Sequence, residues 1–386
     1  MPSLRGINIQ PIHPPPARPA SSKLREVPVS DGHDLQFPAE SREAWSACRF
    51  VRGKVAAVAF VAFAVGALVS LATSWVLVTR LERLGERIGL SEALLGLVAA
   101  LAADTPEITS AVTAVVHHER AVGSGVVIGS NVFNLAALLG LGAVVAGRVD
   151  LHRKVVVLGG AVASWVALIG FVCAVGAVGS VAGMVLVLVV LVPYVILLGT
   201  RGRQIPRRVV PRRWGRWLES AVVEEEAELE VAIRPPPGTG GDAVVAVVAL
   251  IVVVASSVVM ERAASTVGRH DHLAGIVVGG LVLAAVTSLP NAVAGVYLAA
   301  RGRGAAMLST TLNSNTFNIV FGLLLPATFI GLARPTGPQT LIVAWYGALT
   351  VVTLVFAYAG RGLRRGHGWL IVAGYTGFVA VLLAVS

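Results

Sequence analysis

Apolar runs of about 20 residues recur along this chain with short polar connections between them, and each is long enough to cross roughly 30 Å of hydrocarbon as a helix. The runs are continuous rather than alternating, so they predict helices and not the strands of a barrel. Ten such runs fall at 54–79, 91–117, 122–147, 154–175, 180–200, 243–261, 273–300, 305–331, 338–359 and 367–386. Residues 1–50 form a polar tail with Pro11, Pro14, Pro15, Pro16 and Pro19 and no apolar core. Disorder is expected there, and the pattern is not that of a signal peptide. The one long connection, 201–241, opens with Arg201, Arg203, Arg207, Arg208, Arg212, Arg213 and Arg216 around Trp214 and Trp217. It closes with Glu219, Glu224, Glu225, Glu226, Glu228 and Glu230. This reads as a cytoplasmic linker whose basic part lies on anionic headgroups.

Composition agrees. Of 386 residues, 55% are hydrophobic and 13% charged, with a mean hydropathy of +0.79, whereas a soluble domain carries about 25% charged residues. The expected fold is all-α, a polytopic membrane protein of the cell (inner) membrane. A net charge of +10 would suit nucleic acid, but the charges sit in the connections between spans, so nucleic acid is excluded as a partner. Connections after the odd-numbered spans hold 19 Lys and Arg against 4 after the even-numbered ones. The bias places the first set in the cytoplasm, although the eight Lys and Arg of residues 1–54 oppose it. Cys48 and Cys173 suggest no disulfide framework, and no Cys/His spacing suits zinc.

The chemistry lies inside the apolar runs. Asp104 and Glu107 sit mid-span at i and i+3, on one helix face, where a carboxylate costs ~2.5–3.5 kcal/mol on insertion scales. Pro106 between them removes a backbone N–H and frees a carbonyl one turn back. The next span places Ser130 and Asn134 at i and i+4, again on one face. The pattern returns at an offset of 184: Pro106 answers Pro290, Ser130 answers Ser314, and Asn134 answers Asn318. One constant offset across three landmarks indicates an internal duplication. The halves are 51–200, with a repeat at 91–142, and 242–386, with a repeat at 275–326. Each half has five spans, an odd number, so the second enters the membrane from the opposite side. Ten transmembrane helices in two inverted five-helix repeats then share a site near the midplane.

If the faces carrying Asp104 and Glu107, Ser130 and Asn134, Thr287, Ser288 and Asn291, and Ser314 and Asn318 converge, they form a cage of oxygens around two carboxylates. Hard cations such as Ca²⁺ take roughly six to eight oxygens, and no thiolate or imidazole is present to select a softer metal. Ser130 or Ser314 alone would read as helix packing, and Pro106 alone as a kink. Intramembrane acids read as function. His117 and His118 read as surface histidines, and Glu92, Glu261 and Asp271, near span ends, as solvated.

These residues resemble the two alpha-repeats of the cation/calcium exchanger superfamily, which includes the sodium/calcium exchangers. Thr287-Ser288-Leu289-Pro290 matches the family's Gly-Thr-Ser-Leu-Pro-Glu-like segment, with Asn291 in place of Glu. Pro106-Glu107 matches it in the first repeat, with Ala103, Asp104 and Thr105 replacing Thr, Ser and Leu. Gly129-Ser130-Asn131-Val132-Phe133-Asn134 and Ser314-Asn315-Thr316-Phe317-Asn318 match the Gly-Ser-Asn-Ile-Phe-Asn-like segment. The resemblance implies that Glu107, Ser130, Asn134, Thr287, Ser288, Ser314 and Asn318 bind the cation, with backbone carbonyls near Ala103 and Thr287. Asp104 and Asn291 then fill ligand positions with altered chemistry, and Asp104 and Glu107 are the charged metal ligands. It further implies a secondary antiporter, not an enzyme, exchanging Ca²⁺ for Na⁺ or H⁺ by alternating access, with inorganic cations as substrates and no cofactor. Two alternatives stand beside it: a monovalent cation/proton antiporter of the same fold, and a non-transporting membrane scaffold acting through 201–241.

Overall fold

The computed structural model describes residues 39–199, 215–223, 237–332 and 337–385, and their side chains except at 39–53 and 92. Residues 1–38 of the tail and most of the 201–241 connection lie outside these. In chain order the first half holds α1 (Ala39–Arg87), α2 (Glu92–Ala103), α3 (Thr105–Val116), α4 (Arg120–Asn134), α5 (Gly142–Ala146), strand β1 (Arg148–Asp150), α6 (Arg153–Ala174) and α7 (Ser180–Gly199). Residues 215–223 form α8. The second half holds α9 (Gly240–His270), α10 (Gly275–Val277), α11 (Ala284–Thr287), α12 (Leu289–Ala300), α13 (Gly304–Phe317), α14 (Leu325–Ile330), α15 (Gly337–Ala359), strand β2 (Gly362–Arg364) and α16 (Arg365–Val385). Three π-helical stretches, Leu135–Leu141, Val278–Leu283 and Asn318–Leu324, join α4 to α5, α10 to α11 and α13 to α14.

Among the described residues, seven helices are long and apolar enough to cross a membrane, and up to nine if each of two bent pairs counts as one span. The expected run at 305–331 is helical as well, from Gly304 to Ile330. Its Ser309, Thr311, Asn313, Ser314, Asn315, Thr316 and Asn318 lower its hydropathy, and all seven are buried within the protein. Polar side chains are kept from lipid there by the surrounding helices.

The two bent spans break at matching positions. Ala93–Ala103 and Thr105–Val116 meet at 47°, and Gly275–Thr287 and Leu289–Ala300 at 50°. Asp104 and Ser288, 184 positions apart, are the joints. Pro106 and Pro290 lie in the first turn of the helix that follows, where a missing N–H is tolerated because that turn has no partner for it.

Each broken span packs into the opposite half of the chain. Helix α3 rests on Asn318–Leu324 and α12 on Leu135–Leu141; α2 meets α13, and α10 and α11 meet α4. The last crossing is made backbone to backbone. A Cβ on Gly279 would fall 2.1 Å from the Val122 carbonyl oxygen, and one on Gly129 would fall 2.2 Å from that of Gly280. Outside this centre, β1 pairs antiparallel with β2, Val149 opposite Leu363, tying the ends of α5 and α15.

One expectation is corrected, and another falls mostly outside the described residues, which leave out 201–214 of the linker's basic part. Within the 201–241 linker, α8 buries Ala221 and Val222 in the main apolar core, and Trp217 and Leu218 pack against it. The described part of the linker therefore docks on protein, because its Trp-Leu-x-x-Ala-Val pattern makes an apolar stripe at helical spacing. Glu261 is only 1% exposed and accepts a hydrogen bond from Ser265 at 3.0 Å. The predicted span ended at 261, whereas α9 continues to His270, which draws this residue inward.

Gly279→Ala and Gly129→Ala are each expected to destabilise the folded protein by ~1–3 kcal/mol through overpacking. Gly347→Ala, where a Cβ would meet nothing within 4 Å, should not. Thermal unfolding of the purified variants in detergent makes the comparison.

Candidate functional site: a buried cluster of acids, amides and hydroxyls

The break in each bent span exposes the end of one helix and the start of the next, and the acids sit at the first break. Asp104 is the joint itself, and Glu107 lies in the first turn of α3, a position that a helix N-terminus favours for negative charge. Both are almost wholly buried, at 0% and 1% exposure, and their carboxyl groups meet. Among the described residues neither has a cationic partner.

What surrounds them comes mainly from the second half. Asn291 donates to Asp104 Oδ1 at 2.7 Å and Ser314 donates to the same oxygen at 2.5 Å. The Ser288 hydroxyl donates to Glu107 Oε1, and Asn318 donates to Glu107 Oε2 at 2.7 Å. Asn134 of the first half donates to Ser314 Oγ at 3.1 Å, and Asn291 does so at 3.2 Å. Asp104, Glu107, Asn134, Ser288, Asn291, Ser314 and Asn318 are thus one hydrogen-bonded cluster.

Two contacts are copies of each other. At the offset of 184, Asp104 corresponds to Ser288 and Glu107 to Asn291, so Glu107–Ser288 and Asp104–Asn291 are the same crossing made twice. Each joins one acid to one neutral donor.

Three oxygens of the cluster are buried without a hydrogen-bond partner, Asp104 Oδ2, Asn134 Oδ1 and Asn318 Oδ1, as is Ser130 Oγ one turn before Asn134. A buried polar group without a partner costs ~1–3 kcal/mol, and oxygens of these kinds are the donors a hard cation takes. Among the described residues no group of three or more His, Cys, Asp or Glu gathers, so any ion here would be held by two acids and neutral oxygens.

Thr287 is placed differently from its neighbours. It is buried, but its hydroxyl donates to the Leu283 carbonyl of its own helix at 2.9 Å. Its backbone carbonyl, like that of Ala103, lies at a break as the last residue of its helix. His117 is exposed, as expected, and meets Arg262 at 2.7 Å.

Two kinds of residue escape the sequence reading. Asn131 and Asn315, inside the motifs but not among the candidates, each donate to the other's backbone carbonyl at 3.1 Å. The Ser110 hydroxyl, one turn beyond Glu107, is buried without a partner. Only the asparagines carried a signal, their shared offset of 184.

Ser130→Ala removes a buried hydroxyl without a protein partner, so cation-free stability should not fall. Ser314→Ala removes one of the two donors to Asp104 Oδ1 and should cost ~1–3 kcal/mol. Melting in cation-depleted buffer separates the two.

Comparison with known proteins bears on the family and the fold. The sequence profile of the sodium/calcium exchanger protein family matches residues 58–203 and 242–384. A stretch of 87 residues is 33% identical to "Putative antiporter CaxA" of Alkalimonas amylolytica and covers 22% of this chain. This chain matches 27% of that relative's length. Among solved structures, the sodium-calcium exchanger NCX_Mj soaked with 10 mM Na⁺ and zero Ca²⁺ is similar at a TM-score of 0.54 and 20% identity, over 84% of this chain and 99% of that one. An H⁺/Ca²⁺ exchanger, CAX, is similar at a TM-score of 0.62 and 13% identity, over 85% and 86% of the two chains. Likeness at these identities is likeness of fold. The profile covers most of both halves, and the chain therefore belongs to the sodium/calcium exchanger protein family, integral membrane proteins that exchange ions and are not enzymes.

Proposed function

We propose that this chain is a secondary antiporter that exchanges Ca²⁺ for Na⁺ or H⁺ across the cell (inner) membrane. The observation that carries the reading is the set of partnerless buried oxygens, Asp104 Oδ2 with the neutral oxygens of Ser130, Asn134 and Asn318, in a protein whose two buried carboxylates meet without a cation. The three neutral oxygens and the carboxylate oxygens together approach the coordination a Ca²⁺ ion takes. The cation binds on Asp104 and Glu107, with Ser130, Asn134 and Asn318 completing its shell. Ser288, Asn291 and Ser314 hold the carboxylates in place, and Thr287 contributes its backbone carbonyl.

Charge sets the exchange. Two carboxylates at bilayer depth are neutralised by one divalent ion or by two monovalent ions, and an uncompensated charge there is costly. Competition for one pair of acids makes loading by Ca²⁺ and by the coupling ion mutually exclusive, which is the requirement of antiport. Alternating access acts on ten spans in two inverted copies, with 305–331 as the tenth. The equal breaks at Asp104 and Ser288 and the reciprocal Asn131–Asn315 contacts support that symmetry. The loops after spans one, three, five, seven and nine face the cytoplasm.

Glu107→Gln is expected to reduce Ca²⁺ flux in proteoliposomes to background while the protein still inserts; unchanged flux would sink the reading. Asn291 favours a second reading, a monovalent cation/proton antiporter, because it presents its amide N–H₂ to Asp104 where the family has an acid. A competition assay separates the two. Suppression of Na⁺ or H⁺ flux by millimolar Ca²⁺ fits the first, and indifference to Ca²⁺ fits the second.

A further inference from the structure

A side-chain amide can turn either its oxygen or its N–H₂ toward a site, and for a cation ligand that choice decides between attraction and repulsion. Asn134 and Asn318 both face the acids, so something must hold their orientation. The hydrogen bonds lead back to two backbone carbonyls, which can only accept.

Asn131 Nδ2 donates to the Asn315 carbonyl at 3.1 Å, which turns Asn131 Oδ1 the other way. There it accepts from Asn318 Nδ2 at 3.2 Å. Asn318 Nδ2 is thereby committed, to Asn131 and to Glu107, and its Oδ1 is left buried with no partner. The second copy repeats the sequence. Asn315 Nδ2 donates to the Asn131 carbonyl at 3.1 Å, and Asn315 Oδ1 accepts from Asn134 Nδ2 at 3.1 Å. Asn134 Nδ2 also reaches Ser314, and its Oδ1 is again buried with no partner. All four asparagines are at most 1% exposed, so bulk solvent does not reach either orphaned oxygen. Flipping Asn134 or Asn318 would set its carbonyl oxygen against Asn315 Oδ1 or Asn131 Oδ1, acceptor against acceptor, and remove the bond made there.

We infer that Asn131 and Asn315 are positioning residues that lock the amides of Asn318 and Asn134, each across the interface between the two halves, so that both carbonyl oxygens face the transported cation. The inference rests on the cation site proposed above. Asn131 and Asn315 do not touch the ion. They hold the polarity of the residues that do, and they do so independently of Glu107, whose oxygens the ion itself engages.

The test is the rise in melting temperature that Ca²⁺ gives the purified full chain, because that shift reads binding separately from basal stability. Asn131→Leu and Asn315→Leu should each lose most of the shift. A carboxylate presents oxygen from either end, so it needs no orientation. Asn318→Asp should therefore restore the shift in Asn131→Leu and not in Asn315→Leu, while Asn134→Asp should restore it in Asn315→Leu and not in Asn131→Leu. A packing role predicts no such crosswise pairing. A full Ca²⁺ shift in Asn131→Leu overturns the inference, as does rescue of both Leu variants by either Asp, which would mark a general effect of added charge. Failure of both rescues overturns it too. Should the Leu variants fail to insert, Asn131→Ala and Asn315→Ala carry the same comparison. A wild-type chain that answers to neither Ca²⁺ nor Na⁺ would instead overturn the transport reading, and this inference with it.

Discussion

Two carboxyl groups that meet in a low-dielectric interior repel each other unless a proton or a metal ion lies between them, and among the described residues no lysine, arginine or histidine relieves Asp104 and Glu107. The protein instead supplies neutral dipoles: the hydroxyls of Ser288 and Ser314 and the amides of Asn291 and Asn318. A fixed cation would neutralise the pair permanently and leave no room for a mobile one. Neutral donors hold the acids in position while leaving their charge available. The donors come from the half of the chain that carries no acid at the site, so the pair keeps its geometry only while the halves stay in register. The closest approach of backbones, at Gly129–Gly280 and Gly279–Val122, lies on that same seam. Small residues there let α4 and the 275–283 stretch lie against each other with no side chains between them.

Much of this was legible in the chain because the signals are local. Acids in an apolar run, prolines inside spans and an exact offset of 184 need no knowledge of the fold, and Asp104, Glu107, Ser288, Asn291, Ser314 and Asn318 all fall in one cluster. The failures share a cause. Thr287 lies next to Ser288 and carries the same hydroxyl, but which of them faces the acids depends on helix register, and Thr287 turns back to Leu283. The π-helical stretches that follow Asn134 and begin at Asn318 have no distinct residue pattern, although each rotates the face of the helix beyond it. Asn131 and Asn315 look like helix-packing amides until their partners across the interface are known. Glu261 was misplaced by a span boundary, the least reliable part of a hydropathy reading.

The two halves keep a common frame and differ in their chemistry. The offset of 184 pairs Asp104 with Ser288 and Glu107 with Asn291, so each crossing contact holds one acid and one neutral partner. An acid in place of Asn291 would add a carboxylate opposite Asp104, and the Asp104–Asn291 crossing would then join two acids. Moving the second acid from position 291 to position 104 keeps the charge at two and keeps both crossings of the acid–donor kind. It also gathers the charge on the first half and the donors on the second. The amide of Asn291 then has a defined duty: its N–H₂ donates to Asp104 Oδ1, while Oδ2 is buried with no hydrogen-bond partner. The orphaned oxygens of Asn134 and Asn318 belong to that cluster as well. The bonds that join the halves at Asp104 therefore all fall on one oxygen of its carboxylate and leave the other unused.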